Sequence, residues 1–174
     1  MVLVGVMSDS HDNMANVEKA FNIFREHGVE AIIHLGDIIS PFIVKKMAEL
    51  SWSGLMVYAV YGNNDGDKPL LYRLFSEKGW SIWDGPRVIE VGGKKLLLMH
   101  GYNGIEHTRE IAYSTASSYK GLDAVLYGHT HKRDHRVVDG VLVLNPGETY
   151  GYLFGEPSIA ILDLEEMKVE FIEL

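Results

Sequence analysis

Five short clusters in this 174-residue chain carry side chains able to bind a divalent metal ion. They are Asp9-Ser10-His11, Gly36-Asp37, Gly62-Asn63-Asn64-Asp65, His100-Gly101 and Gly128-His129-Thr130-His131. Together they supply two or three carboxylates, one amide and four imidazoles. Mixed oxygen and nitrogen ligation selects manganese, iron, nickel, cobalt or zinc and disfavours calcium, which prefers oxygen alone. Asn63-Asn64-Asp65-Gly66-Asp67 lacks the spacing and the closing Glu of a calcium loop. The supply exceeds one mononuclear site, and a dinuclear site with one bridging Asp uses it economically. Two divalent ions about 3.5–4 Å apart can share a hydroxide of near-neutral pKa and clamp an oxyanion, so no Ser or Cys nucleophile is needed. The chemistry implied is hydrolysis of a phosphate ester by in-line attack.

Such residues are useful only if the backbone brings them to one place. Each cluster follows an apolar run: residues 2–7, 31–35, 55–61, 96–99 and 124–127. In open α/β sheets the ligand site lies beyond the carboxyl ends of the strands, so five strand ends can converge there, with glycines letting the backbone turn sharply. Helical spacing is read over 13–26, with Asp12 or Asn13 as cap, over 41–50 with Pro41 in the first turn, and over 70–78 and 105–117. Gly92-Gly93 joins strands 87–91 and 94–99, and Asp139-Gly140 joins 133–138 and 141–144, a strong hairpin signal. Strands at 158–163 and 168–173 end the chain. The layout is βαβαβα followed mostly by strands, with no linker or repeat. We expect an α/β fold of two mixed β-sheets packed as a sandwich with helices outside, in one domain over 1–174.

Lys plus Arg number 16 and Asp plus Glu 24, a formal charge of −8. An acidic surface has no general attraction for polyanions, which argues against a nucleic-acid coat protein. An anionic ligand must be drawn by a local positive centre, which two divalent ions provide. With 47% hydrophobic residues a packed core is available. The absence of cysteine excludes disulfides, thiolate zinc sites and cysteine nucleophiles. No apolar run approaches the roughly 18–20 residues that span a bilayer. The N-terminal apolar stretch has neither the basic flank nor the cleavage site of a signal peptide. The expected compartment is the cytoplasm.

The ordered blocks D-x-H, G-D, G-N-x-D, an isolated His and G-H-x-H, spanning residues 9–131, resemble the calcineurin-like metallophosphoesterases. The short length and Asn145-Pro146-Gly147 after the last hairpin look like their small bacterial and archaeal phosphodiesterase branch. The resemblance implies a metallophosphoesterase sandwich. It places Asp9, His11 and His131 on a first metal, Asp37 between both, and Asn63, His100 and His129 on a second. It also implies two divalent transition ions, manganese first, with nickel, iron, cobalt or zinc as alternatives. The implied substrate is a small phosphodiester such as a nucleotide. No membrane or nucleic-acid partner is expected, and a homo-oligomer is allowed. Many members carry His where this chain has Asn64. Asn donates hydrogen bonds but transfers no proton. Asn64 is therefore read as a phosphate contact, with aryl-type leaving groups favoured over alkyl monoesters and turnover modest, since general acid help is typically worth about 10²–10⁴-fold.

The remaining candidates are read more plainly. If the 128–131 loop stays extended, His129 and His131 share a face and address adjacent metals. His34 lies inside a strand and reads as structural or as support behind the ligands. His27 reads as a helix-end residue and His135 as surface, while His107 follows the His100 loop. Asp65 is a candidate for orienting Asn64 or a nearby loop. Tyr102, Tyr150 and Tyr152 are candidates for a base or aryl pocket, with packing the plain alternative. The competing functions are a non-catalytic scaffold on the same fold, as in the retromer subunit that resembles this family, a nuclease, or a metal-dependent hydrolase of carbon esters. No His-Glu-x-x-His, nucleophile elbow or Walker A loop occurs.

Overall fold

The computed structural model describes residues 2–174. Strands β1 (Leu3–Met7), β2 (Ala31–His34) and β3 (Met56–Val60) alternate with helices α1 (Met14–Glu26), α2 (Pro41–Leu50) and α3 (Lys68–Glu77). Then follow β4 (Ser81–Trp83), β5 (Arg87–Val91), β6 (Lys94–Met99), α4 (Ile105–Ser118), β7 (Ala124–Tyr127), β8 (Arg133–Val138), β9 (Val141–Pro146), β10 (Ser158–Asp163) and β11 (Lys168–Glu173). Two sheets result, ordered β11-β10-β1-β2-β3-β4 and β5-β6-β7-β9-β8. Both are mixed. β1 to β4 run parallel, with β10 antiparallel to β1; β6, β7 and β9 run parallel, with β5 and β8 antiparallel at the edges. This is the sandwich expected from the alternation of elements.

Three apolar layers hold it. Val4, Val6, Ile33, Leu35, Leu98, Leu126, Leu144 and Leu162 interlock between the sheets. On the outer face of the first sheet, Ile32 and Val57 meet Phe21 and Phe24 of α1, Met47 of α2 and Phe75 of α3. On the outer face of the second, Val125 and Val143 meet Ala112 and Ala116 of α4. Central strands are thus apolar on both faces, which is why 31–35 and 124–127 read as unbroken runs. Each fully buried large side chain contributes roughly 1.5–3 kcal/mol, so strand ends anchored on these layers can carry strained loops.

Local signals set the element ends. The Asn13 side chain accepts from the Asn16 N–H at 3.1 Å and caps α1. Asp67 caps α3 through the Leu70 N–H, starting that helix two residues before the periodic pattern does. β4 has no counterpart in the sequence reading: three residues are too few to show alternation, and its pairing with β3 is a tertiary contact. Among the described residues no helix is long and apolar enough to cross a membrane.

Candidate metal centre

The clusters after β1, β2, β3, β6 and β7 meet at one edge of the two sheets. Backbone bonds staple them together: Asp9 N–H to Gly36 O at 3.0 Å, His11 N–H to Asp37 O at 3.1 Å, Gly128 N–H to His100 O at 3.0 Å and Tyr150 N–H to Asp9 O at 3.0 Å. Asp9, His11, Asp37, His129 and His131 all have positive φ, between 38° and 67°. This left-handed region costs a non-glycine residue on the order of 1–3 kcal/mol and clusters at functional sites. The 128–131 loop is therefore not extended, and His129 and His131 point into different halves of the site. Gly62 and Gly128 are needed for another reason than turning. Their φ values are ordinary, but an added Cβ would strike Asp37 at Gly62, and Ser8 Oγ and Leu35 O at Gly128.

One half of the site joins Asp9, His11, Asp37 and His131, which offer one ligand atom each within 4.8 Å of one another. His131 Nε2 lies 3.4 Å from Asp9 Oδ1, and His11 Nε2 lies 3.3 Å from Asp37 Oδ2 and 4.0 Å from Asp9 Oδ1. Ligands at about 2.0–2.2 Å from one ion stand roughly 3–4.4 Å apart, so these spacings suit a shared cation. Asp9 Oδ1 and His11 Nε2 are buried with no hydrogen-bond partner. Such atoms are costly to leave unmatched, and a metal ion would satisfy both. The other half gathers around His100 Nε2: Asn63 Oδ1 at 3.0 Å, His129 Nδ1 at 3.3 Å and Asp37 Oδ2 at 3.6 Å. His100 Nδ1 lies 2.7 Å from Leu35 O and His129 Nε2 lies 2.8 Å from Asn103 O. Those carbonyls accept the outward-facing imidazole N–H groups, so that in the metal-binding, neutral form His100 Nε2 and His129 Nδ1 would present lone pairs to the site.

The electrostatics follow from crowding four imidazoles around two carboxylates. Burial raises the Asp9 carboxyl, partly offset by His100 and His131. Burial also acts to raise Asp37, but the facing His100 and His11 imidazoles outweigh it and hold that carboxyl well below its ordinary range. Desolvation lowers His100, yet Asp37 and Asp9 outweigh it and bring it up to about 8. Without metal, the raised His11 and His100 imidazoles hold protons against the carboxylates; a divalent ion would displace them.

Residues behind the candidate ligands were only partly visible in sequence. Glu148, fully buried, accepts from His131 Nδ1 at 2.8 Å and from the Phe154 N–H at 2.8 Å. Sequence reasoning missed it, although Asn145-Pro146-Gly147-Glu148 is another polar cluster at a strand end. Asn145 donates to Gly128 O and Thr130 Oγ1, both at 3.0 Å, and fixes the loop that bears His129 and His131. Asp65 accepts from the Ile39 and Gly62 N–H groups, each at 2.7 Å, bracing two loops rather than Asn64. Asn64 itself stands exposed at the mouth; its backbone N–H donates to Asp37 Oδ1 at 2.8 Å and its amide to Asp37 Oδ2 at 2.7 Å.

His34 is completely buried. Its Nδ1 accepts from the Gly36 N–H at 3.3 Å, so Nε2 carries the proton and donates to Ser10 Oγ at 3.0 Å. Burial depresses its pKa to about 3. The unfolded chain takes up this proton near pH 6.5 and the folded one does not, so the His34 contribution is complete above 6.5 and fades as pH falls toward 3. His100 has the opposite sign: its contribution is complete below 6.5 and fades as pH rises through about 8. The combined contribution of these two histidines to the metal-free protein is therefore greatest near pH 6.5. Urea unfolding at pH 6.5 and pH 5 checks this. The His34 share of the loss should be about 2 kcal/mol and should vanish in His34→Asn; equal pH slopes in the two proteins would refute it.

The other histidines lie apart. His27 caps α1, with Nδ1 2.8 Å from Ile23 O. His135 is exposed on β8 with its ring edge-on to Phe171, and His107 is exposed on α4. Tyr150 lies against His11 with ring centroids 5.3 Å apart, and Tyr152 against Tyr150 at 5.5 Å. Tyr102 borders a cavity of about 410 Å³ together with Asn63, His100, Tyr61 and Lys68.

Comparison with known proteins gives the family and the fold. The calcineurin-like phosphoesterase superfamily domain matches residues 2–167. A phosphodiesterase of Methanocaldococcus jannaschii is 39% identical over 173 residues, covering 98% of each chain. The solved structure of an archaeal phosphodiesterase superposes with a TM-score of 0.88 at 37% identity, over 99% of this chain and 100% of that one. Vps29 of Entamoeba histolytica, solved with zinc, superposes with a TM-score of 0.71 at 21% identity over 99% of both chains, a likeness of fold.

Proposed function

Because the chain belongs to the calcineurin-like phosphoesterase superfamily, we propose that it hydrolyses a small phosphate diester at a centre of two divalent ions shared by Asp37. It is a metal-dependent phosphoesterase; the dinuclear centre, the preference for diesters and manganese as the metal are our reading. One observation carries that reading: Asp37 Oδ2 faces His11 on one side at 3.3 Å and His100 on the other at 3.6 Å. Asp9, His11 and His131 would hold one ion, and Asn63, His100 and His129 the other. Sharing one phosphodiesterase relative over nearly its whole length supports the diester. We also read the 174 residues as one catalytic unit, since β10 returns beside β1 and completes the sheet that the first half begins.

When bound, such ions supply a water acidified toward neutrality and positive charge against the phosphoryl oxygens. The chain's own groups do the rest. Asp9 and Asp37 bring the negative charge that holds cations in a buried site. The Leu35 and Asn103 carbonyls fix which imidazole nitrogen faces inward at His100 and His129. Asn64, whose amide donates to Asp37 Oδ2 in this structure, stands at the mouth of the site and would offer an N–H to a phosphoryl oxygen there, but cannot hand a proton to a leaving alkoxide. Diesters with stable leaving groups are thereby favoured.

The test is hydrolysis of bis(p-nitrophenyl) phosphate with added manganese, beside the Asp9→Asn variant and a p-nitrophenyl carboxylate ester. Turnover that depends on manganese and collapses in the variant is expected. Activity that survives in Asp9→Asn, or none in either protein, would overturn the reading and return the scaffold alternative; a preference for the carboxylate ester would redirect it to carbon esters. Replacing Asn64 by His should raise monoesterase relative to diesterase activity, toward the roughly 10²–10⁴-fold scale of general acid assistance. An unchanged ratio would show that this position does not set leaving-group preference.

A further inference from the structure

The metal centre is flanked by two cavities of different character. On the His100 side lies the space bordered by Tyr61 and Tyr102. Its lysine, Lys68, is already matched: Nζ lies 3.0 Å from Asp84 Oδ1 and 4.9 Å from the Tyr61 ring centroid. On the His131 side lies a cavity of about 370 Å³ lined by His131, Lys132, Arg133, Phe154 and Glu156. Among the described residues no carboxylate lies within ion-pair distance of Lys132, whose Nζ sits 4.6 Å from the Phe154 ring centroid. Arg133 spends Nη2 on Glu173 at 3.2 Å, but its Nε is buried with no hydrogen-bond partner. A smaller adjoining cavity shares Lys132 and Arg133 and adds Arg109, which is already matched by Tyr113, Asp134 and, at 4.0 Å, Glu106. Two cations with unspent capacity, Lys132 and Arg133, thus lie beside the metal centre of a chain whose formal charge is −8. Glu156 is the carboxylate that opposes them within the larger cavity.

A phosphodiester carries two arms, one on each side of its phosphorus. Resting on the phosphodiesterase reading, we propose that the cavity beside His131 is an anion subsite, in which Lys132 and Arg133 receive a second phosphate borne by one arm of the substrate. The arm on the His100 side lies among Tyr61 and Tyr102, where its charge has no unmatched cation to meet. The substrate class is then a phosphodiester with an additional terminal phosphate, as in a 5′-phosphorylated dinucleotide, rather than a diester of two uncharged arms. The positive cluster is local, so it selects a small anion without making the surface attractive to long nucleic acid.

Calorimetric titration of the manganese-loaded protein tests this with two probes that resist cleavage: phosphorothioate-linked dithymidine with and without a 5′-phosphate. The phosphorylated probe should bind about tenfold more tightly, the scale of a partly exposed charge-assisted contact. Lys132→Gln and Arg133→Gln should each shrink that ratio toward one. Glu156→Gln should widen it, a sign that packing alone does not give. Lys132 is exposed, so its variant keeps the test open should Arg133→Gln fold poorly. Equal affinities in the wild type, or a preference surviving both cation variants, would overturn the subsite. Failure of bis(p-nitrophenyl) phosphate turnover would instead strike the parent reading, because binding of the two probes is measured without it.

Discussion

Replacing Asp37 by Asn is expected to reduce hydrolysis of bis(p-nitrophenyl) phosphate by about a thousandfold or more, the rate equivalent of several kcal/mol of lost charge stabilisation. The change is isosteric and retains one oxygen, so packing survives; charge is what disappears. Asp37 Oδ2 is the atom toward which both His11 and His100 converge. Together with Asp9, its negative charge also outweighs desolvation in holding the His100 pKa up at about 8. Two consequences should therefore appear together: metal content per protein falls, and the metal-free His100 titrates at lower pH, readable from its ring proton resonances. Normal turnover with a full metal complement would exclude Asp37 as the shared ligand. A lost activity with an unmoved His100 titration would mean that the two side chains are farther apart in solution than in this structure.

His131→Ala should be nearly as damaging, and thermal denaturation separates its cause from misfolding. A metal that binds only the folded state at 100 times its Kd stabilises by about 2.7 kcal/mol. For a chain of this size that corresponds to a rise in Tm of roughly 5–10 °C. Wild-type protein should show this rise on adding manganese and lose it on chelation. In His131→Ala the metal-free Tm should fall, because the buried Glu148 loses its partner, but a cooperative transition should remain while the manganese-induced rise shrinks sharply, with activity falling in parallel. Glu148→Gln is the informative companion. It leaves every ligand in place but replaces the carboxylate that holds His131 Nδ1. Its metal affinity should fall by about 10–100-fold, the usual cost of losing the partner behind a ligand. An undiminished manganese shift in His131→Ala would remove that residue from the ligand set.

Much of this architecture was legible because it is encoded locally. Apolar runs ending in Asp, His, Asn and Gly mark strands whose carboxyl ends carry polar loops, and the structure brings five such ends to one edge. Asp139-Gly140 and Gly92-Gly93 form turns through their own φ preferences, so those hairpins needed no distant information. Other features were hidden because their causes lie far away in the chain. His129 N–H bonds Asp9 Oδ2 across 120 residues, and no periodicity reports that. Glu148 is unremarkable in sequence and becomes the partner of His131 only when the loop after β9 folds back. Gly62 and Gly128 read as turn glycines, whereas the structure requires them for lack of a side chain where loops touch.

Residue types and their order alone determined that the chain is an α/β sandwich with metal-capable side chains at its strand ends, since hydrophobic period and donor chemistry are properties of the chain itself. The tertiary structure decided the backbone that carries the division implied by the family resemblance: His129 and His131 fall in separate halves around Asp37 with left-handed φ at both residues, not on one face of an extended loop. It also decided where charge remains unmatched. Lys68, Lys132 and Arg133 are equally basic in sequence, but only packing reveals that Asp84 neutralises the first while the other two flank His131 with capacity to spare.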